Sequence, residues 1–329
     1  MLSDDQAIRR HRTLMQALAR RHQVILELIG GEPVEYVDIP VHGNVGDLLI
    51  YLGTLAFLRG HGVPILGSTA YFNYRDRRSR APILLHGGGN FGDLYPRHQR
   101  LRERIVARHP ERRIIVLPQT IHFASPARFS ASAAIMAKHP DLHIFVRDKR
   151  SLELARAMTP HAHLVPDMAH QLYPLAATGP AHGRGTLHLL RTDRESRGGN
   201  AADAAAPGAV RIDWPQLAGR RHASKTAWAT RAMRALAAVH AQGTLADPFA
   251  RWWEAEARRL VDKAVALFAG RDAIVSDRLH AHILACLMDL PSTVRDNSYG
   301  KNAGYVRRWT GESPLVTLEA DTRPEDTPS

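Results

Sequence analysis

The sequence contains a single cysteine, Cys286, among 329 residues. One thiol excludes a disulfide framework and any zinc site built from several cysteines. No apolar run approaches the roughly 18 residues that a transmembrane helix needs. The first residues carry mixed charge where a signal peptide has an apolar stretch. We therefore expect a soluble, cytoplasmic protein.

Lysine and aromatic residues are also scarce. Five lysines stand beside 39 arginines, aromatic residues make up 6% of the chain, and the formal net charge is +12. A positive field of this size favours anionic partners: phosphorylated substrates, an acidic membrane surface or nucleic acid. The arginines are dispersed and no nucleic-acid-binding signature is present, so we expect no nucleic acid partner.

Short apolar segments alternate with helical patterns along the chain, which is typical of a parallel sheet covered by helices on both faces. We predict one long helix over 7–28 and strands at 83–85, 114–117, 143–146 and 273–275, among others. Pro, Gly and Ala dominate 174–184, which indicates a linker. The predicted fold is α/β with two Rossmann-like domains, 1–176 and 177–313, a mobile loop over 192–209 and a frayed acidic tail over 314–329.

The segment HGNVGD at 42–47 lies between a predicted strand and a predicted helix. Glycines there let the backbone approach a ligand, and the helix N-terminus presents free N–H groups. The same pattern also fits a tight turn in which Asp47 caps the helix. Both interpretations stay open at this point.

The segment HGGGNFGD at 86–93 follows a buried strand directly. Three consecutive glycines cost backbone entropy that a simple turn does not require, and ligands of open α/β sheets bind at such strand ends. The spacing matches neither a dinucleotide fingerprint nor a P-loop. We predict a functional turn that includes Gly88, Gly89, Asn90 and Asp93.

The segment SDRLHAH at 276–282 also joins a strand to a helix, and position 277 is a candidate cap. The Arg278 guanidinium suits a phosphate or carboxylate, and His280 can exchange protons near neutral pH. In the alternative interpretation, Arg278 pairs with Asp277 or Asp289 and His280 packs in the core. His280 and His282 are two residues apart, which argues against a shared metal site.

Two further arginines end predicted strands. Arg147 follows HIFV and Arg191 follows TLHLL, each where a cation facing a ligand would lie. Asp193 and Glu195 stand next to Arg191 and offer an alternative, in which they neutralise it.

Six motifs occur in an order that resembles the polysaccharide pyruvyltransferase family. They are GNVGD, HGGGNFGD, VRD before SLELA, LRTDRES, VSDRLHAHI and DNSYGKN. The resemblance covers roughly residues 36 to 310. The resemblance implies a glycosyltransferase-like (GT-B) fold. It also implies transfer of pyruvate from phosphoenolpyruvate to a sugar as a cyclic ketal during exopolysaccharide synthesis.

The resemblance places the phosphoenolpyruvate site at Arg278, Leu279 and His280, with Arg147 as a further donor contact. We add Gly88, Gly89 and Asn90 to the donor site, and Asn44, Asp93 and Arg191 to the acceptor site, from their strand-end positions. His280 is the candidate general acid, Arg278 would hold the phosphate, and Asp47 would orient or deprotonate the acceptor. No metal and no cofactor are expected besides the donor substrate.

The expected acceptor is an oligosaccharide or a lipid-linked saccharide, with peripheral contact between the protein and the anionic inner face of the membrane. One alternative is a nucleotide-sugar-dependent glycosyltransferase, because the same fold supports both activities. A second alternative is a basic module that binds nucleic acid or another polyanion.

Overall fold

A computed structural model describes residues 3–175, 183, 185–190, 210–238, 246–296 and 301–319. Contacts divide the chain into two compact units. The large unit contains residues 15–175 and 214–267, and the small unit contains residues 1–14, 176–213 and 268–329. The arrangement is α/β with parallel sheets, as the alternating pattern predicts. Among the described residues, every helix is too short or too polar to span a lipid bilayer.

The large unit is built on a parallel sheet. Its strands are β1 (Val34–Val37), β2 (Ile65–Thr69), β3 (Ile83–Leu85), β4 (Gly88–Gly92), β5 (Ile114–His122), β6 (Leu142–Val146) and β7 (His161–Leu164). The strand order is β2-β1-β3-β5-β6-β7, and β4 pairs with β5. Because the order reverses between β1 and β3, the carboxyl ends of these two strands border a crevice of the kind that binds ligands.

The helices account for most of the remaining described residues. They are α1 (Asp4–Arg20), α2 (Gln23–Ile29), α3 (Val45–Gly60), α4 (Pro96–Arg108), α5 (Pro126–Met136), α6 (Lys149–Arg156), α7 (Trp214–Ala238), α8 (Ala246–Phe268), α9 (Leu279–Leu287) and α10 (Lys301–Tyr305). A 3₁₀ turn covers Met168–Leu172 and a π turn covers Val306–Thr310. The boundary between the units falls inside α1, after Leu14.

The small unit carries a second parallel sheet. Its strands are β8 (Thr186–Leu189), β9 (Val210–Ile212), β10 (Ala273–Ser276), β11 (Ser292–Val294) and β12 (Val316–Leu318). The order is β12-β11-β10-β8-β9, so it reverses between β8 and β10. The carboxyl ends of these two strands therefore border the position where this sheet would bind a ligand.

Apolar strands fix the core of the large unit. Residues of β3, β5 and β6 are buried along their length, as expected for a sheet covered on both faces. Helix α3 is also buried on nearly all sides, which explains its apolar sequence VGDLLIYLGTLAFLRG.

Several local predictions are wrong. The predicted helix over 7–28 is interrupted after Arg20, and α2 begins at Gln23. At this break the buried His22 side chain contacts the Pro166 carbonyl, with 2.9 Å between Nε2 and O. The predicted tail over 314–329 also begins differently, because Val316–Leu318 pairs with β11 in the second sheet.

The predicted domains 1–176 and 177–313 divide the chain differently from the observed units. Helices α7 and α8 pack with the large unit, where Met233 and Phe249 contact Val41 and Phe72. These apolar contacts form only in the folded chain, and they group both helices with residues that come much earlier in the sequence. Residues 192–209 lie outside the described part of the chain.

Candidate functional site

In the small unit, an ion pair stands where the strand order reverses. Arg278 follows β10, and its Nε lies 2.5 Å from Asp213 Oδ1 while Nη2 donates to Asp213 Oδ2 at 2.7 Å. Asp213 follows β9 directly and is buried. Arg278 therefore pairs with Asp213 and not with Asp277 or Asp289. A buried carboxylate that binds two guanidinium nitrogens holds the Arg278 side chain in one orientation.

Helix α9 begins beside this ion pair. Its N-cap is Arg278, not Asp277, and no side chain caps the first turn. Asn302 fixes the preceding loop, because its Nδ2 donates to the carbonyls of Asp277 (2.6 Å) and Arg295 (3.0 Å). The first turn thus presents the positive end of the helix dipole next to the Arg278 guanidinium, an arrangement that suits an anion.

The histidines of this helix differ in environment, as their spacing predicts. His280 lies in the first turn and is half-buried. His282 is fully buried, with its ring nitrogens 2.9 Å from Ser292 Oγ and 2.8 Å from Thr310 Oγ1. Burial raises the pKa of the Cys286 thiol, so it stays protonated and unreactive. Of His280, His282 and Cys286, only His280 is therefore suited to proton transfer at the start of α9.

In the large unit, a buried carboxylate follows β1. Asp38 has a positive φ of 66° and is almost fully buried. Its Oδ1 lies 2.7 Å from His98 Nδ1, and its Oδ2 accepts from Asn90 Nδ2 at 3.2 Å. The side chains of a strand end, a glycine-rich segment and α4 therefore meet at one edge of the sheet.

Two buried side chains donate hydrogen bonds to the amide oxygen of Asn90. Arg102 Nη2 and Gln119 Nε2 donate to Asn90 Oδ1 at 2.9 and 3.1 Å. Burial lowers the pKa of Arg102 to about 10, and the nearby Asp38 carboxylate opposes this shift. Asn90 is thus oriented by contacts on both ends of its amide.

His86 follows β3 at the same edge. Its Nδ1 lies 2.6 Å from the Tyr36 hydroxyl, which keeps its proton because burial raises the pKa of Tyr36. The Tyr36 hydroxyl is therefore a neutral hydrogen-bond partner of His86. Burial lowers the pKa of His86 to about 4, although the carboxylates of Asp47 and Asp38 oppose this. His86 is neutral at physiological pH.

The HGNVGD turn is organised by Asn44. Asn44 caps α3 by accepting from the Gly46 N–H at 3.1 Å, so the interpretation with Asp47 as the cap is wrong. Asn44 Nδ2 also donates to Asp47 Oδ2 at 2.9 Å. A side chain at Gly88 would place its Cβ 3.3 Å from Asp47 Oδ1. Asn44, Asp47 and Gly88 are therefore brought together.

The HGGGNFGD segment is a strand rather than a simple turn, since 88–92 pairs with β5. Part of its glycine content has a packing reason. A Cβ at Gly87 would lie 2.7 Å from the Pro118 carbonyl oxygen, and one at Gly92 (φ +130°) would lie 1.7 Å from that of His122. Gly89 is half-buried within the same strand. At Gly88, by contrast, the neighbouring groups include the carboxylate of Asp47.

Asp93 holds a neighbouring loop. Its carboxylate accepts from the backbone N–H groups of Ala124 and Ser125 at 2.9 to 3.0 Å. Burial alone would raise the pKa of Asp93, but these hydrogen bonds outweigh it and lower the pKa. The geometry gives Asp93 a structural partner, and its predicted acceptor contact stays a prediction.

Arg147 follows β6 and is almost fully buried. It forms an ion pair with the buried Asp167, and its Nε donates to Thr120 Oγ1 at 2.9 Å. These contacts fix the carboxyl edge of the sheet, and the predicted donor contact of Arg147 stays a prediction. Arg191 lies outside the described part of the chain.

The structure thus brings Arg278, Leu279 and His280 together in the small unit, and Asn44, Asp47 and Gly88 in the large unit. It adds residues that sequence reasoning missed: Asp38, His86, His98, Arg102, Gln119, Asp213 and Asn302. His86 directly follows the predicted strand over 83–85, so its position is a usable signal, whereas Asp38 falls inside the strand predicted over 36–40. The sequence contains no such signal for Asp213, because β9 follows a segment predicted as a loop.

Comparisons with known proteins place the chain among pyruvyl transferases. The family model described as polysaccharide pyruvyl transferase matches residues 44–299. The chain is 36% identical to the "Putative pyruvyl transferase EpsO" of Bacillus subtilis (strain 168), over 92% of this chain and 94% of that protein. It is 28% identical to "Pyruvyl transferase 1" of Schizosaccharomyces pombe, over 85% of this chain and 70% of that protein.

A solved structure of an uncharacterized protein from Klebsiella pneumoniae subsp. pneumoniae NTUH-K2044 is similar in fold. The TM-score is 0.59 at 16% identity, and the match covers 92% of this chain and 98% of that one. The range matched by the family model, 44–299, contains Asn44, strand β4 and Arg278. The chain therefore belongs to the polysaccharide pyruvyl transferase family.

Proposed function

We propose that the protein transfers pyruvate from phosphoenolpyruvate to two hydroxyls of a sugar in an exopolysaccharide repeat unit, forming a cyclic ketal and releasing phosphate. Membership in the family supports pyruvyl transfer to a polysaccharide. The single observation that supports phosphoenolpyruvate as the donor is the Arg278 guanidinium, which Asp213 holds beside the first turn of α9.

Phosphoenolpyruvate carries a phosphate and a carboxylate on a three-carbon frame. A fixed guanidinium and an adjacent helix N-terminus match two such anionic groups. In this proposal Arg278 binds the phosphate, and the first turn of α9, from Leu279 onward, lies against the rest of the donor. Gly88, Gly89, Asn90 and Arg147 are proposed as further donor contacts.

The chemistry requires one proton transfer to carbon. His280 would protonate the C3 methylene of the donor, which leaves an oxocarbenium-like centre at C2. One sugar hydroxyl attacks C2, the bond between C2 and the phosphate oxygen breaks, and a second hydroxyl closes the ring. Of the two hydroxyl protons, one replaces the proton given by His280 and the other leaves with the phosphate. Arg278 stabilises the negative charge of the departing phosphate.

The acceptor proposal rests on the large unit. Asp47 is partly exposed and accepts from Asn44, so its carboxylate is oriented and accessible to a hydroxyl. We propose Asp47 as the group that orients or deprotonates the acceptor, with Asn44, Asp93 and Arg191 as binding residues. A lipid-linked saccharide is the proposed acceptor, which calls for contact with a membrane surface.

The same proposal includes a GT-B-like fold of two Rossmann-like domains. The presence of a strand-order reversal in each of the two parallel sheets supports it. Because nucleotide-sugar glycosyltransferases share that fold, the donor must be identified by binding.

A thermal-shift titration with phosphoenolpyruvate, beside UDP- and GDP-sugars, tests the donor. A ligand at 100 times its dissociation constant stabilises the folded protein by about 2.7 kcal/mol. We expect a shift with phosphoenolpyruvate that is lost in Arg278→Ala and kept in Arg307→Ala, which removes an exposed arginine of the same unit. A shift with a nucleotide sugar alone would contradict the proposal.

A further inference from the structure

Helix α7 presents a strongly basic surface. Between Trp214 and Ala238 the sequence contains no Asp or Glu. Beyond the non-helical residue Gly219, five cations follow within fifteen residues: Arg220, Arg221, Lys225, Arg231 and Arg234. All five are exposed. The helix therefore carries one sign of charge along its whole outer side.

A single large aromatic side chain stands in the middle of this surface. Trp228 is 72% exposed, the largest exposure among the large hydrophobic residues that the structure describes. At about 100° per residue, Trp228 projects between Arg221 and Lys225 on one side and Arg231 on the other. The opposite side of the helix holds Ala229 and Met233, which pack against Phe249.

Most charges of this surface form no ion pair with an acidic side chain among the described residues. The adjacent helix α8 differs, because Arg258 and Arg259 pair there with Glu254 and Glu256. On α7, Arg221 and Arg231 make no such ion pair within the described ranges, whereas Lys225 lies near Glu256 and helps to lower the pKa of that carboxyl. A helix that leaves most of its cations without an ion pair around an exposed tryptophan is suited to an anionic surface.

The basic surface continues from α7 onto α4. Arg234 Nη2 donates to the Tyr71 hydroxyl at 2.5 Å. Tyr71 in turn lines a groove of about 380 Å³ with Arg97, Arg100 and Arg104, all on one side of α4. No acidic side chain of the described residues pairs with these three arginines either. The groove therefore extends the same positive charge beyond a single helix.

We propose that the outer face of α7, centred on Trp228, docks the protein on an anionic lipid bilayer. Tryptophan prefers the level of the lipid headgroups, and lysine and arginine beside it bind headgroup phosphates. Nucleic acid fits less well, because single strands stack on several aromatic side chains and this face has one. The benefit to catalysis rests on the proposed function, since a lipid-linked acceptor lies at such a surface, but the binding itself does not.

Flotation of the purified protein with lipid vesicles measures this binding directly. One set of vesicles contains phosphatidylglycerol and phosphatidylcholine, and the other contains phosphatidylcholine alone. We expect flotation with the first set, weakened as the salt concentration rises, and little with the second. A duplex DNA oligonucleotide, added as a separate probe, tests the nucleic acid alternative.

Two double variants, each of which removes two cations, distinguish the effect of the α7 face from the effect of net charge. Arg221→Gln with Lys225→Gln removes two cations beside Trp228, and Lys149→Gln with Arg150→Gln removes two exposed cations of α6 in the same unit. Each cation near an anionic bilayer contributes about 1 kcal/mol, so the α7 variant should lower the partition coefficient by about 30-fold. The α6 variant should change it by less than about twofold. Trp228→Ala should weaken binding with no change in its salt dependence.

Equal loss in the α6 and α7 variants, or flotation unaffected by either, would overturn the proposal. So would DNA binding in the absence of vesicle binding. Pyruvyl transfer to a soluble saccharide should be unchanged in all these variants, so that failure of the docking surface is distinguished from failure of the proposed reaction. Unchanged melting temperatures show that the variants fold.

Discussion

The buried carboxylate of Asp213 fixes the orientation of the Arg278 side chain. An exposed arginine samples many rotamers, whereas an arginine bound at two nitrogens by a buried aspartate presents its remaining edge in a fixed direction. Because the Arg278 side chain is already ordered in the folded protein, binding a ligand costs less side-chain entropy. At the scale of single residues, Asp213 is thus a positioning residue for the proposed donor site.

Asp213→Asn tests this role. The amide keeps the size of the side chain but loses the charge that pairs with Arg278. Hydrogen bonds to charged groups contribute about 1.5–3 kcal/mol, so we expect KM for phosphoenolpyruvate to rise by roughly ten- to hundredfold, with a smaller effect on kcat. Steady-state kinetics give both constants. Asp262→Asn, an exposed aspartate of α8, is the control, and an equal rise in KM there would argue against positioning.

His280 and His282 offer a second comparison at this scale. His280→Ala should lower turnover by about 10²–10⁴-fold while phosphoenolpyruvate still binds, because a general acid acts on the transition state. His282→Ala should instead lower the melting temperature, since it leaves Ser292 and Thr310 without their buried partner. Near-normal turnover in His280→Ala would show that another group supplies the proton.

His86 connects the site to stability at acid pH. Its pKa is about 4 in the folded protein, against about 6.5 in an unfolded chain. Below pH 6.5 the unfolded chain therefore takes up a proton that the folded protein refuses. The free energy of unfolding should fall by about 1.4 kcal/mol per pH unit from this group between pH 6.5 and 4.

Urea denaturation at pH 7 and pH 5 measures this contribution. His86→Gln should be less stable than the unsubstituted protein at pH 7, and the difference should shrink by about 2 kcal/mol at pH 5. His22, whose pKa is also lowered by burial, adds to the acid sensitivity of both proteins and so cancels in the comparison. A difference independent of pH would mean that His86 titrates normally.

At the scale of elements, sequence patterns predict the interior strands well and their edges poorly. The run Ile83–Leu85 and the strand over 142–146 are apolar throughout, so their burial follows from composition. Strand β4 consists of Gly, Asn and Phe, and it forms because β5 is long enough to pair with it. That pairing depends on register between distant segments, which local propensity does not encode.

The candidate site, like the strands, can be predicted from the sequence only in part. Arg278 and Asn44 were found because each stands next to a strand or helix boundary in the sequence. Asp38, with its positive φ, meets His98 across 60 residues, and that contact depends on how α4 packs on the sheet. The cap of α3 is displaced by three residues, because Asn44 caps the helix and Asp47 does not.

Helix α3 provides a matched test of packing between elements. At Gly53 a Cβ would lie 2.3 Å from the Met168 carbonyl oxygen, so the helix approaches the 3₁₀ turn at this residue. Gly53→Ala should destabilise the protein by about 1–3 kcal/mol. At Gly60 in the same helix a Cβ would meet nothing within 4 Å. Gly60→Ala should therefore stabilise the protein by up to about 1 kcal/mol. Equal effects in thermal denaturation would contradict this packing.

At the scale of the whole molecule, the two sheets offer different chemistry at their strand-order reversals. The small unit presents a fixed guanidinium and a helix N-terminus, which suit an anion. The large unit presents the partly exposed carboxylate of Asp47, which suits a hydroxyl group, with Asp38 and neutral His86 buried at the same edge of the sheet. A reaction between an anionic donor and a neutral sugar calls for both kinds of site, and the net charge of +12 favours arrival of the donor.

Hydrogen exchange with mass spectrometry tests this division of roles. Saturating phosphoenolpyruvate should slow amide exchange in residues 276–283, because binding stabilises the first turn of α9. A soluble acceptor saccharide should instead slow exchange in residues 38–47. Arg278→Ala should remove the first protection and keep the second. Slowed exchange at 86–92 with phosphoenolpyruvate would support the donor contacts proposed for Gly88 and Asn90. Protection of 38–47 by phosphoenolpyruvate without any at 276–283 would assign the donor to the large unit and reverse the proposed roles of Arg278 and Asp47.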